Sequence, residues 1–525
     1  MRRDFVWMFG LAVLVGCLLI VLLDEPGYTD AYYYFNAGQR LAQGDGLTDP
    51  YVWIYLNRPD KIPAPSHTYW MPLASILSAG SMAIFGANFS AAQIPSVLAL
   101  AGLVVLGGWL GYTLGGTRRY SWMTALIVLF GGFFFPFWVN TDTFALYGLV
   151  GAGALIMMGL GYQKHDWRWF ALSGALSGFA HLTRADGLLL LLVALLLTLW
   201  PRPNWKAAIS TLVAYLVVML AWFIRNLDVI NSPIPSGGVK TAFLRGYNEL
   251  FAYPVDWSFA NFADWGMANI LESRWNALLS NFGTWLAVET WILIGPFALA
   301  ALWKHRKNPL LTGFWVYALG LHLAMTFIFA FPGYRGGLFH SSSALVPFWA
   351  ILGIMGLDDA INWAAQRRRW HPPQARMVFG TAALVLVIIL SGFAWSAQAQ
   401  NREEAPNYDE INTYLPADAV LMVNDPPAWY FHTRLMSVNL PDAPLDRLPE
   451  IASRYCVTHL VIDKNVTDAF VPLIDKGAPP PPFLEPIAHL DSNTEGTGDD
   501  VRIYRFIEEA IPYASRCYPI GNSPD

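Results

Sequence analysis

The chain has 525 residues, of which 55% are hydrophobic and only 14% charged, and its formal net charge is −5. An ordinary soluble domain carries about 25% charged residues, so this composition, with a mean hydropathy of +0.37, excludes a soluble globular protein, and the lack of basic excess excludes a nucleic-acid binder. Long apolar runs continue to residue 396 and the composition then turns polar and acidic, which predicts a membrane domain over 1–399 and a water-facing domain over 400–525.

Met1-Arg2-Arg3 precedes a first apolar run at 5–23 with no small-x-small cleavage pattern after it, so the run is expected to stay as an anchor. Asp24 and Glu25 stand where it ends. Asp30 then opens an aromatic, amphipathic helix in which Tyr33, Ala37 and Leu41 share a face, and Gly44-Asp45-Gly46 breaks it. This helix is expected in the membrane interface.

The stretch Tyr69–Phe85 contains Pro72, Gly80 and three serines and falls short of the about 20 residues a comfortable span needs. Further spans are predicted at 92–115, 120–138, 143–162, 168–183, 187–200, 207–224, 284–303, 310–331, 341–357 and 377–396. If Tyr69–Phe85 does not cross, Arg2/Arg3, Arg118/Arg119, Lys164/Arg168, Arg202/Lys206, Lys304/Arg306/Lys307 and Arg367/Arg368/Arg369/Arg376 all fall on the cytoplasmic side. If it crosses, the later clusters move outside, against that rule. The expectation is therefore eleven spans, a re-entrant or interfacial Tyr69–Phe85, a cytoplasmic N-terminus and an extracytoplasmic C-terminal domain.

That topology gathers the outer loops' ionisable residues on one side. Asp30 and Asp142 are acids at helix starts, where each is also a natural N-cap. Arg184 stands between two apolar helices, where a guanidinium needs an anion, either Asp186 or a lipid phosphate. Arg225 follows the 207–224 span, where the helix C-terminus alone would explain it. Arg335 stands among glycines and aromatics in an outer loop, suited to bidentate phosphate binding. His67 enters the Tyr69–Phe85 segment and is either a satisfied polar residue or a ligand. Cys17 is expected to pack in the first span. Cys456 and Cys517 either pair, if their domain is outside the cytoplasm, or remain free thiols. No fixed-spacing metal motif, Walker loop, G-x-S-x-G or H-E-x-x-H occurs.

The tail is expected to be a small α/β domain, with strands at 420–423, 458–462 and 501–504, helices near 408–415 and 446–455, and a loop at Pro479–Pro482.

The order of these features resembles the GT-C class of polytopic membrane glycosyltransferases, which includes protein O-mannosyltransferases, aminoarabinose transferases and bacterial dolichyl-phosphate-mannose mannosyltransferase-like proteins. The residues that carry it are the anchor, the acid opening a helix (Asp30 to Gly44), the Pro-containing segment His67-Thr68-Tyr69-Trp70-Met71-Pro72, Asp142, Arg184, Arg225-Asn226, and Arg335 ahead of Pro347. Many members carry Asp-Glu at the catalytic position. Here Asp30 is followed by Ala31, and Asp24-Glu25 lies just before, so Asp24 is the alternative base.

The resemblance implies an α-helical polytopic membrane fold of about eleven transmembrane helices with interfacial helices and the α/β tail. It further implies inverting transfer from a polyprenyl-phosphate sugar to a glycan, lipid or protein acceptor on the extracytoplasmic face. Asp30 would be the general base, Asp142 and His67 would assist acceptor or metal, and Arg335, Arg184 and Arg225 would bind the donor phosphate. A divalent metal cation is optional in that class. A lipid or glycan transporter, or a non-catalytic membrane scaffold, is the rival reading. A transporter tends to place ionisable groups near the bilayer midplane, whereas the charges here gather at the ends of the spans.

Overall fold

The computed structural model describes residues 1–56, 58–403, 406–463, 466–474, 479–490, 501–511 and 517. They form two compact units. The first takes Met1–Glu25, Trp70–Ala242 and Gly266–Ala397; the second takes Pro26–Tyr69, Phe243–Trp265 and Gln398–Asp525. The second unit thus includes two long loops that the sequence assigns to the membrane domain.

The first unit is helical. Its first helices are α1 (Arg2–Leu22), α3 (Leu73–Phe85), α4 (Phe89–Gly115), α5 (Arg118–Phe130), α6 (Phe144–Lys164), α7 (Trp167–Thr183), α8 (Leu188–Leu199) and α9 (Trp205–Ile230), with α2 (Thr29–Gln43) belonging to the second unit. Among the described residues, seven helices are long and apolar enough to cross a membrane, including α1, α4, α6, α9, Ala330–Arg368 and Pro372–Gln400. The chain is an integral membrane protein. On α1 the residues Met8, Ala12, Gly16 and Leu19 are buried at helical spacing, while Trp7, Leu14, Leu18 and Val21 are exposed, the pattern of a helix with one protein-facing stripe and one lipid-facing side.

The segment in doubt, α3, is thirteen residues long, about 20 Å at 1.5 Å per residue, against a hydrocarbon core of about 30 Å. Its serines turn inward. Ser78 and Ser81 hydroxyls donate to the carbonyls of Ala92 and Ala91 on α4 at 2.9 and 2.6 Å, which satisfies them without water.

The expected 284–303 span is two pieces. Met267–Thr284 continues through a π-turn to Glu289, the helix breaks over 290–294, and a new helix runs from Gly295 to His305. At the break Glu289 is fully buried, accepting from Trp349 Nε1 at 2.9 Å and facing His322 Nε2 at 3.0 Å. This buried Glu289–His322 contact qualifies the expectation that ionisable groups gather at the ends of the spans.

The second unit is built on a six-stranded sheet. Its strands are β2 (Tyr51–Val52), β4 (Val420–Val423), β5 (Met436–Asn439), β6 (His459–Ile462), β7 (Leu484–Leu490) and β8 (Val501–Phe506); β1 (Thr48–Asp49) and β3 (Ala64–Pro65) form a separate ladder. The order is β2-β5-β4-β6-β8-β7, with β2, β5, β4 and β6 parallel and β8 and β7 antiparallel. Every residue of β4 and β6 is buried, as expected where helices cover both faces of a parallel region. Val420 and Met422 face one apolar cluster, Leu421 and Val423 the other.

Helix α2 docks on the helix Pro426–Thr433 that links β4 to β5. Thr29 Oγ1 donates to Asp425 at 2.8 Å, Tyr32 Oη meets His432 Nε2 at 3.1 Å, Asn36 Nδ2 donates to the Pro427 carbonyl at 2.8 Å, and Arg434 donates to Gln39 at 2.8 Å. Positions 29, 32, 36 and 39 fall on one helical face. Residues Ala31 to Gln39 are all buried, so the aromatic face of α2 is met by protein. Cys456 and Cys517 form a disulfide with Cα atoms 5.2 Å apart, and Cys17 is exposed on α1.

Candidate active site

In the membrane unit a polar network forms where three chain segments meet. Asp142 lies in the turn before α6, is 1% exposed, and accepts the Thr143 N–H. It stands one residue before the helix's N-cap, which is Thr143, so it is not itself that cap. His340 Nδ1 is 3.8 Å from the Asp142 carboxylate and 3.3 Å from Thr143 Oγ1. The Phe144 ring, 4.0 Å from the His340 ring by centroids, covers the imidazole.

Arg184, the residue that ends α7, donates through Nε to Asp186 at 3.2 Å and to Ser341 Oγ at 3.1 Å, with Nη1 3.5 Å from Thr143 Oγ1. Ser341 also donates to Asp186. The two anions open to Arg184 in sequence are therefore resolved in part: Asp186 meets the guanidinium. Two candidates, Asp142 and Arg184, are brought into one network through Thr143.

Arg225 is elsewhere on α9. The helix runs on to Ile230, so Arg225 is inside it and not at its C-terminus. Its guanidinium lies 4.7 Å over the Trp222 ring and donates to Asn226 at 3.1 Å. Arg335 is exposed at a kink between two short helical turns, where Gly336 has φ +125°, a value that favours glycine. The expected outer loop is thus a broken helix.

In the second unit Asp30 is half-buried in the first turn of α2, where the positive end of the helix dipole favours a carboxylate. The N-cap is Tyr28, so neither Thr29 nor Asp30 caps the helix. Asp24 is exposed after α1. His67 is fully buried: its N–H donates to Tyr33 Oη at 2.7 Å and its Nδ1 meets Ser66 Oγ at 2.8 Å. Tyr33 in turn donates to Asp49 at 2.9 Å. Burial first, and then the Asp49 charge, raises the Tyr33 phenol well above its usual range, so it stays a neutral donor.

Sequence reasoning missed His340, Ser341 and Asp425. The run His340-Ser341-Ser342-Ser343 at the head of an apolar span was a usable signal for the first two. Nothing local marks Asp425, whose environment is made by α2.

Burial pushes the Asp425 carboxyl up to about 6 despite the Thr29 hydroxyl that favours its charged form, and burial lowers the His432 imidazole to about 4. The two act oppositely on stability. Asp425 binds its proton more tightly folded than unfolded, so its contribution is full below about pH 4 and is lost as pH rises through 6. His432 binds its proton less tightly folded, so its contribution is full above about pH 6.5 and is lost as pH falls through 4. In Asp425→Asn the unfolding free energy relative to the parent should rise between pH 4 and 6, on the order of 2 kcal/mol. In His432→Gln it should fall over the same window. Thermal unfolding of the purified protein across pH reads both; flat difference curves would remove the burial account.

No protein-family model and no curated protein matches the chain in sequence. Solved structures do match in fold. ArnT from Cupriavidus metallidurans bound to undecaprenyl phosphate aligns over 97% of this chain and 99% of its own, with a TM-score of 0.54 and 15% identity. The same protein in the apo state aligns over 98% and 100%, with a TM-score of 0.55 and 13% identity. The oligosaccharyltransferase AglB from Archaeoglobus fulgidus, in complex with an inhibitory peptide and a dolichol-phosphate, aligns over 88% of this chain and 69% of its own, with a TM-score of 0.53 and 13% identity. Across nearly its whole length, the chain therefore has the fold of the GT-C membrane glycosyltransferases.

Proposed function

We propose that this protein is an inverting glycosyltransferase that moves a sugar from a polyprenyl-phosphate donor to an acceptor hydroxyl at the membrane surface. The observation that carries the reading is the near-complete alignment, membrane helices and tail together, with ArnT bound to undecaprenyl phosphate.

In this mechanism the acceptor oxygen attacks the anomeric carbon and Asp30 takes the acceptor's proton. The bond from the anomeric carbon to the phosphate oxygen breaks with its electron pair going to that oxygen, and polyprenyl phosphate leaves. Arg335, with Arg184 or Arg225, meets the charge that grows on the phosphate; donors aimed at developing charge act most strongly in the transition state. Asp142 orients the acceptor. His67, enclosed under Tyr33, holds the aromatic face of α2.

Asp142 and His340 are the side chains of the membrane unit that would hold a divalent cation. One carboxylate oxygen and one imidazole nitrogen 3.8 Å apart suit an ion of borderline hardness. When bound, such an ion would supply positive charge for a phosphate or acceptor oxygen.

The reading places the second unit outside the cytoplasm, which agrees with a disulfide between Cys456 and Cys517. In a Cys17→Ser background, a membrane-impermeant thiol reagent added to intact cells should label Ala417→Cys, which is exposed in the tail, and spare Gln366→Cys, which is exposed near the end of Val346–Arg368. The opposite pattern would reverse the topology. The activity itself is tested by incubating the purified protein with a polyprenyl-phosphate sugar and following release of polyprenyl phosphate.

A further inference from the structure

The basic turns of the membrane unit are of two kinds. Some answer cations with acids. Arg118 pairs with Asp4 at 2.5 Å, Arg119 with Asp358 at 2.6 Å and Lys304 with Asp359 at 2.7 Å. The α6–α7 and α8–α9 turns carry Lys164, Arg168, Arg202 and Lys206 with one carboxylate, Asp166, whose oxygen accepts the Arg168 N–H at 3.0 Å. Here three of the four cations lie on aromatic faces. Lys164 Nζ is 4.6 Å from the Trp169 ring centroid, Lys206 Nζ is 4.7 Å from that of Trp167, and the Arg168 guanidinium is 6.0 Å from Trp167.

The packing of α7 on α9 brings these turns together. A side chain on Gly174 would strike the Thr211 backbone, and one on Gly178 would press on Val218, so the absence of Cβ atoms lets the two helices approach closely. With α8 returning between them in sequence, α7 and α9 run the same way and begin at the same end. The position of Lys206 of α9 over Trp167 of α7 follows from this.

Both helices therefore start side by side with a cation in the first turn, Arg168 on α7 and Lys206 on α9, and neither has an acid in that turn. The N-terminus is the positive end of a helix, so a cation there adds to the field instead of opposing it. Asp166 and Asn204 each cap one N–H, and the four cations still outnumber the single acid. Two helix N-termini with four flexible cations around them make a positively charged cradle for an anion. Exposed Trp200 and Trp205 flank it, which sets it at the depth where tryptophans meet lipid headgroups.

We propose that this patch binds the phosphodiester headgroup of an anionic phospholipid in the leaflet at this end of the bundle. Arg168 and Lys206 meet the phosphate oxygens, Lys164 and Arg202 supply outer charge, and the tryptophans contact the glycerol region. Polybasic groups at a membrane surface draw anionic lipid in proportion to their number. This inference does not depend on the transfer reaction.

The test is native mass spectrometry of the purified full chain titrated with phosphatidylglycerol, with phosphatidylcholine as the zwitterionic comparison and inorganic phosphate as the soluble one. Phosphatidylglycerol should bind at least about tenfold more tightly than phosphatidylcholine and should persist in millimolar phosphate. Arg168→Gln combined with Lys206→Gln should weaken it about 30-fold, from roughly one surface cation's worth of attraction at each position. Lys164→Gln combined with Arg202→Gln, exposed residues of the turns, should weaken it in the same direction. Lys304→Gln, which removes a cation already paired with Asp359, should change nothing. Equal binding by the double variants, an equal loss in Lys304→Gln, equal affinity for phosphatidylcholine, or displacement by inorganic phosphate would each overturn the proposal, the last by showing that free phosphate is the ligand.

Discussion

Asp30→Asn should leave a folded, membrane-inserted protein whose sugar transfer falls by at least about a hundredfold, the lower end of general-base contributions. The substitution is close to isosteric. The N-cap of α2 is Tyr28, and the helix is tied to its neighbour through Thr29, Tyr32, Asn36 and Gln39, contacts that the substitution leaves in place. What is lost is a group able to take the acceptor's proton, and donor binding should be largely kept. Asp24→Asn, in an exposed position after α1, should be mild. An active Asp30→Asn beside a dead Asp24→Asn would move the base to Asp24. Normal turnover in both would defeat the transferase mechanism and favour a transporter or scaffold.

Arg335→Ala and Arg184→Ala should separate phosphate binding from structure. Arg335 is exposed at a kink, so removing it should change the unfolding midpoint little while cutting kcat/KM for the lipid donor by about a hundredfold, the scale of losing one donor to developing charge. Arg335→Lys should recover part of the loss, since a point charge replaces a bidentate fork. Arg184 is bonded to Asp186 and Ser341. Its removal leaves Asp186 a carboxylate without that guanidinium, and breaking one side of such a partly buried pair costs up to about 3–5 kcal/mol, so Arg184→Ala should show in thermal stability first. If Arg335→Ala retains full activity, Arg335 is not a phosphate ligand, and Arg225 becomes the residue to test.

The membrane fold was legible because spans are long-wavelength signals. Seven of the predicted runs, from 5–23 to 207–224, coincide with α1, α4, α5 with the short turn after it, α6, α7, α8 and α9 to within a few residues at most ends, although α9 extends to Ile230. The run 284–303 misled because hydropathy is blind to backbone. Apart from Glu289 the run is apolar enough to span, yet the helix breaks at 290–294 and buries Glu289 against Trp349 and His322, both distant in sequence.

In the tail, β4, β6 and β8 were legible as buried runs, whereas β5 (Met436–Asn439) carries serine and asparagine and owes its strand to neighbours on both sides, one of them β2 from the far N-terminal loop. The site divides in the same way. Asp30, Asp142 and Arg184 stand at helix ends that periodicity marks. The pairing of Arg184 with Ser341, the approach of His340 to Asp142 and the burial of Asp425 by Thr29 are long-range contacts that spacing along the chain cannot encode.

The claim at the centre of this account is that a polyprenyl-phosphate sugar is the donor. Mass spectrometry of lipid-linked sugars and of glycans tests it, from cells carrying the protein, lacking it, or carrying Asp30→Asn. The account predicts one lipid-linked sugar that accumulates without the protein and with Asp30→Asn alike, together with one glycan that disappears in both. Identical lipid-linked sugar and glycan profiles in all three strains would contradict it.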